Sequence, residues 1–420
     1  MSGKTVIIGI DGVPYDLIED LARNGDMPNF AELVDQGHFS KMHAAIPEVS
    51  NVNWSSIVTG KNPGQHGVFG FTELIQGTYT VSFPDRRALK AEPFWKDDKR
   101  YMILNVPAMY PADEIDGVFV SGFVSPDFEK AVYPDSAIEY LNEIDYKVDV
   151  DSEKAHKSYR LFLDNLFDTL EKRKKAAEHF WERKWDTFML VFTGSDRLEH
   201  FLIDAYYEEE HEYHERFIEY FREMDEIIGD IVEKMDDDDR LIMMSDHGME
   251  QIKKNVNVNA VLENHDLLKL GDKPEERYKN IEEGTKAFAL DPGRIYLNRK
   301  DRHPRGEVED GEKTLEEMID IFENLTYEGE RVIKKIHERD QVYNGDQIHK
   351  APDLILTPNE GYNLKGSVKY DSVFAENIFS GKHTEDDAFL YCNDLRLPED
   401  PTVEDVRSLI ERDEDERKTT

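Results

Sequence analysis

At 420 residues the chain holds enough material for one large domain or two ordinary ones. Its 90 Asp and Glu against 52 Lys and Arg leave a formal charge of −38, which excludes the broad basic face that a nucleic-acid partner requires. The acidic excess runs along the whole chain rather than in one tail, as expected of a halophilic surface on which salt screens the self-repulsion.

Val6-Ile7-Ile8-Gly9-Ile10 is a short apolar run rich in β-branched residues and predicts a strand buried on both faces. Asp11 cuts it short of a signal segment, and no other apolar run approaches the roughly 20 residues of a membrane span. A soluble, cytoplasmic protein with no membrane partner is expected. Cys392 is the single cysteine, so no intrachain disulfide can form and a reducing compartment fits. In open α/β sheets ligands bind beyond the carboxyl ends of strands, which makes Asp11 a candidate site residue.

Residues 14–37 predict a helix that breaks at Gly25, resumes at Pro28 and stops at Gly37. The stretch from Pro47 to Gly67 then predicts a loop feeding a helix. Ser50 and Asn53 stand at its start, where backbone N–H groups favour an anion, and Trp54, Ile57 and Val58 give it an apolar face. Ser50 is thus either a cap or a nucleophile aimed at something negative. His66 reads as structural or as a substrate contact. Residues 72–100 show no sustained period, carry Arg86, Arg87 and Lys90, and are read as loops and short strands near the site mouth, with Arg86 or Arg87 as a candidate for recruiting an anionic substrate.

Strands are predicted at 102–106 and 117–120, and an amphipathic helix over 151–184. Thr187 to Phe192 is another core strand, followed by Thr193-Gly194-Ser195-Asp196-Arg197-Leu198-Glu199-His200. If this turns helical, Asp196 and His200 share a face and can share a metal. The acidic and His-rich run within the helical segment 205–235 reads as a solvated face. Leu241 to Met244 is a strand that closes on Ser245-Asp246-His247-Gly248, placing an oxygen and a nitrogen ligand side by side. Composition changes over 266–347, which is taken as an inserted smaller subdomain containing a strand at 291–298 and a helix at 312–325. Core-strand character returns at 352–356. Gly381-Lys382-His383 lies in a loop before the apolar run ending at Cys392, and 396–420 forms a charged C-terminal tail.

Alternating strands and helices predict an α/β fold with a doubly wound, mostly parallel sheet flanked by helices, built from residues 1–265 and 348–395. Such a fold gathers Asp11, Asp196, His200, Asp246 and His247 along one edge. His and carboxylate ligands suit divalent zinc, manganese or iron, and a coordinated serine is a stronger nucleophile.

In order along the chain, Asp11, Ser50-Asn51-Val52-Asn53, Thr59-Gly60, Pro63-Gly64-Gln65-His66-Gly67, Asp196 to His200, Asp246-His247-Gly248 and Gly381-Lys382-His383 resemble the alkaline phosphatase superfamily. Within it, the chain is most similar to the type I phosphodiesterase/nucleotide pyrophosphatase family. The resemblance implies an alkaline phosphatase-like fold with two divalent metal ions, most often zinc. One would be held by Asp196, His200 and His383, the other by Asp11, Ser50, Asp246 and His247. It also implies that Asn53 contacts phosphate and that Ser50 attacks a small-molecule phosphate ester to give a phosphoserine intermediate. Ser50 stands where the family often has Thr, and Asn51-Val52-Asn53 replaces its Phe-Pro-Asn. A phosphomonoesterase or a phosphoglycerate-mutase-like enzyme would share the metal plan, and a metal-stabilised binding protein is the non-catalytic alternative.

Overall fold

The computed structural model describes residues 3–376 and 378–411. These divide into two compact units: the described residues up to 61, with 85–249 and 379–411, form one, and those within 62–84 and 250–378 the other.

The first unit is built on an eight-stranded sheet. In chain order its strands are β1 (Thr5–Ile10), β2 (His38–Met42), β3 (Tyr101–Val106), β4 (Gly117–Ser121), β5 (Val132–Tyr133), β6 (Thr187–Phe192), β7 (Arg240–Met244) and β8 (Ala388–Cys392). Across the sheet the order is β2-β8-β7-β1-β6-β3-β4-β5. The five central strands run parallel, with Ile8 level with Leu190 on one side and Met243 on the other. The edges are antiparallel: β8 pairs with β7 and β2, and β5 with β4. The apolar runs explain the arrangement, because parallel strands covered by helices on both faces bury every side chain. All residues of β3, β6 and β7 are buried.

The covering helices include α1 (Tyr15–Asn24), α2 (Pro28–Gln36), α3 (Ser50–Thr59), α4 (Tyr159–Trp181), α5 (Gly194–Tyr207) and α6 (His214–Val232). The break between α1 and α2 falls where the sequence predicts it. Gly25 takes the left-handed conformation that ends a helix, and Pro28 opens the next turn. A further helix, α7 (Val406–Glu411), lies within the segment read as a tail. Val406 and Leu409 are fully buried, and Arg407 donates to the carbonyl of Thr59 at 2.8 Å. This part of the segment is packed structure because its apolar residues fall at helical spacing between the charges. Residues 412–420 lie outside the described residues.

The second unit carries its own core around a four-stranded sheet that includes Ala287–Leu290, Arg294–Leu297, Ile333–Glu338 and Leu354–Pro358. It extends beyond the segment 266–347 singled out by composition. Leu354–Pro358 reads like a core strand because it is one, but its partners are Arg294–Leu297 and Ile333–Glu338. An apolar run reports burial and not which sheet receives it.

Candidate active site

Three neighbouring strands of the first unit end in the residues of interest. Asp11 follows β1 directly, Asp246 and His247 follow β7, and Asp196 lies in the first turn of α5 beyond β6. Gly12 makes the close approach possible. It has φ +78°, and a Cβ there would come within 3.0 Å of the Asp196 Cβ. Helix α3 brings Ser50, and the short strand Gly381–Thr384 brings His383.

The three histidines share one hydrogen-bonding pattern. Nδ1 of His200 lies 2.9 Å from the Gly381 carbonyl, Nδ1 of His383 lies 2.7 Å from the Glu48 carbonyl, and Nδ1 of His247 lies 3.0 Å from the Gly248 carbonyl. A carbonyl only accepts, so each Nδ1 carries the proton and each Nε2 presents a lone pair. These lone pairs converge. His383 Nε2 stands 3.0 Å from His200 Nε2 and 3.1 Å from Asp196 Oδ1, and His247 Nε2 stands 3.1 Å from the Ser50 hydroxyl. Burial keeps two of these rings neutral: it pushes His383 down to about 3 and lowers His200.

The carboxylates differ among themselves. Burial, then the charge of Asp246, pushes the Asp11 carboxyl well above the usual range. Burial and the charge of Asp196 do the same to Asp246. For Asp196 burial acts upward too, but His200, the His383 contact and the Arg197 guanidinium hold it well below. Asp11 Oδ2 accepts from the Trp54 indole N–H at 2.9 Å, and Asp246 Oδ1 from the Gly12 N–H at 3.2 Å. Asp246 Oδ2 is buried with no hydrogen-bond partner among the described residues.

These features suit divalent cations. Ligand atoms of Asp11, Asp246 and His247 all lie within 4.8 Å of one another, and so do those of Asp196, His247 and His383. Facing lone pairs and an orphaned buried carboxylate oxygen are unfavourable until a cation lies between them. The backbone carbonyls on Nδ1 fix ring orientation, as outer partners of metal-bound histidines do.

Of the residues expected at the site, Asp11, Ser50, Asp196, His200, Asp246, His247 and His383 come together. Asn53 sits deeper, behind the Ser50 turn of α3. It is fully buried, its amide oxygen accepts from the Ala45 N–H at 2.7 Å, and its amide nitrogen donates to the Val49 carbonyl at 3.3 Å. Placed a turn into α3, it pins the chain entering the helix. His66 is structural: it is fully buried, burial lowers it to about 3, and its Nδ1 accepts from the Val68 N–H. Arg86 is committed to Asp113 at 2.7 Å and Arg87 to Asp85, so neither is a free recruiting charge.

Sequence reading missed Trp54 as more than apolar surface, although its position four residues after Ser50 puts both on one helix face. It also missed Arg197 and Asp149, for which the only signal was a cation directly after a candidate ligand.

Residues 5–386 match the family model described as type I phosphodiesterase/nucleotide pyrophosphatase. The chain belongs to this family. Its members are phosphoric ester hydrolases, and the alkaline phosphatase-like fold is shared by solved structures of low identity. Phosphonoacetate hydrolase from Sinorhizobium meliloti 1021, solved with phosphonoacetate, superposes with a TM-score of 0.66 at 16% identity, covering 96% of this chain and 94% of that one. Murine ectonucleotide pyrophosphatase/phosphodiesterase 5 gives 0.54 at 12% identity, over 97% and 94%. An inactive variant of the murine protein in complex with AMP gives 0.57 at 12% identity, over the same shares. Among the described residues of this family member, no helix is long and apolar enough to cross a membrane.

Proposed function

We propose that this phosphodiesterase-family protein is a metal-dependent hydrolase of small-molecule phosphate esters of phosphodiester or pyrophosphate type, acting through a phosphoserine at Ser50. The observation that carries the reading is the convergence of three Nε2 lone pairs with Asp11, Asp196, Asp246 and the Ser50 hydroxyl. Two divalent cations, most suitably zinc, would be held by Asp196, His200 and His383 and by Asp11, Ser50, Asp246 and His247. When bound, they supply positive charge to the attacking and leaving oxygens.

The chain's own residues supply the rest. Ser50 stands in the first turn of α3, where backbone N–H groups still lack helical acceptors and favour the equatorial oxygens of a phosphoryl group. Its Oγ lies 3.5 Å from Asp11 Oδ1, and Trp54 holds the other oxygen of that carboxylate. Attack by Oγ forms the O–P bond as the ester P–O bond breaks; the Oγ proton passes to solvent, and the alcohol or phosphate leaves on the far side with its electron pair and takes up a proton there. Water then cleaves the phosphoserine from the face the leaving group vacated, restoring Ser50. Nucleic acid is not a substrate on this reading, because the formal charge of −38 opposes a polyanion. The same charge argues for work at high salt, where small anions approach a screened surface.

The test is turnover of bis-(p-nitrophenyl) phosphate against p-nitrophenyl phosphate, with zinc or manganese supplied and salt varied. Diester preference supports the reading, and monoester preference moves the protein to the phosphomonoesterase alternative. Full activity of Ser50→Ala would remove the phosphoserine.

A further inference from the structure

Asp196 is tied from outside the cluster by a chain of charges. Arg197 Nη1 lies 2.6 Å from Asp196 Oδ2, while its Nε and Nη2 lie 3.2 and 3.1 Å from Asp149 Oδ2. The guanidinium lies over the Phe123 ring, 4.4 Å from its centroid. Its fork is therefore divided between two carboxylates on a flat apolar support, with side-chain exposures of 17%, 16% and 3% for Arg197, Asp149 and Asp196.

We propose that Arg197, held by Asp149, is a positioning residue that makes Asp196 a one-oxygen donor and thereby biases its cation site towards zinc. The inference rests on the reading of Asp196 as a ligand. With Oδ2 committed to Arg197, only Oδ1 faces inward, 3.3 Å from His200 Nε2 and 3.1 Å from His383 Nε2. A set of one oxygen and two nitrogens suits a small, four-coordinate ion. Ions that favour more oxygen donors lose the second carboxylate oxygen as a ligand, because Arg197 occupies it. A lysine could supply the charge but not the planar fork that spans two acids.

The test uses the full chain, stripped of metal and titrated with zinc and then with manganese in competition with a chromophoric chelator. Wild type is expected to show two zinc sites. In Arg197→Met, zinc affinity at one site should fall by about 10-fold to 100-fold, the range typical of lost outer-shell support, with manganese losing less. The other site should stay within about threefold. Asp149→Asn should shift the same site in the same direction by a smaller factor, and it carries the test if Arg197→Met does not fold. Arg197→Lys should recover part of the zinc affinity without restoring the zinc-to-manganese ratio. Wild-type zinc affinity and selectivity in folded Arg197→Met or in Asp149→Asn would overturn the proposal. Asp196→Asn separates the two levels. If it keeps both zinc sites, the ligand reading fails and the proposal with it. If it loses one while Arg197→Met and Asp149→Asn keep theirs, only the positioning role fails.

Discussion

The two halves of the site solve the same problem with opposite means. Asp11, Asp246, His247 and Ser50 form an oxygen-rich cluster at the ends of β1 and β7, and both carboxyls are driven upward by burial and neighbouring acid. Asp196, His200 and His383 form a nitrogen-rich cluster whose single carboxylate is already compensated by Arg197 and held low. The first half is electrostatically incomplete until a cation arrives. The second is pre-organised, with a permanent charge outside and neutral rings inside. A buried carboxylate can thus be kept ionised by a fixed cation or left to await a mobile one, and this chain does both a few ångströms apart.

The largest expected effect lies in the oxygen-rich half. Ser50→Ala should lower diester turnover by at least about 1,000-fold, as loss of an activated nucleophile does. Zinc bound in the nitrogen-rich half should be retained, since Ser50 touches none of its members. Metal content measured beside the rate checks this, and loss of both ions would mean that the halves are not separable. Next comes His247, whose Nε2 is within ligand reach of both groups. His247→Ala should weaken both sites, whereas His383→Ala should weaken only the nitrogen-rich one, each by more than about 100-fold. Equal losses in the two variants would erase the distinction.

A smaller effect is expected at Trp54. Its indole N–H fixes Asp11 Oδ2 at 2.9 Å, and phenylalanine keeps the apolar packing without the donor. Trp54→Phe should weaken cation affinity in the oxygen-rich half by about 10-fold and leave the other half alone. Calorimetric titration of the two sites reads the difference directly. An unchanged profile would make Trp54 a packing residue only.

The oxygen-rich half was the more legible in the sequence. Asp11 and Asp246-His247 each follow an apolar run, and an open α/β sheet sends such positions to one edge. His383 was not recoverable that way, because Gly381–Thr384 lies outside the large sheet and carries no sustained apolar pattern. Only the resemblance placed it. For Asn53, sequence spacing gives the face of a helix but not what the adjoining loop demands of it. Here the loop needs its Ala45 N–H satisfied, and the Asn53 amide oxygen accepts from it. Arg197 was passed over because a lone cation beside a ligand looks like any surface charge until its partners are known. The extent of the second unit escaped composition for a related reason: Leu354–Pro358 has the same apolar signature whichever sheet it joins.

Histidine in the second unit sharpens the contrast from outside the site. His303 is buried with neither ring nitrogen hydrogen-bonded, stacked on Tyr79 with ring centroids 5.7 Å apart and edge-on to Phe288 at 5.1 Å. Burial, then the charge of Arg302, lowers it to about 4, and burial lowers His337 to about 4 as well. These rings stay neutral as His200 and His383 do, but no lone pairs converge on them among the described residues. In the unfolded chain a histidine takes its proton near pH 6.5. Between about pH 6.5 and 4 the unfolded state therefore binds protons that the folded state refuses, and stability falls as pH falls through that window. His303→Phe should leave thermal stability at pH 7.5 nearly unchanged and reduce the loss between pH 6.5 and 4. Carboxylates protonate over part of the same range in both proteins, so the difference between the two melting curves isolates the ring. If the variant and wild type lose stability in parallel, His303 is not held neutral at the expense of acid stability.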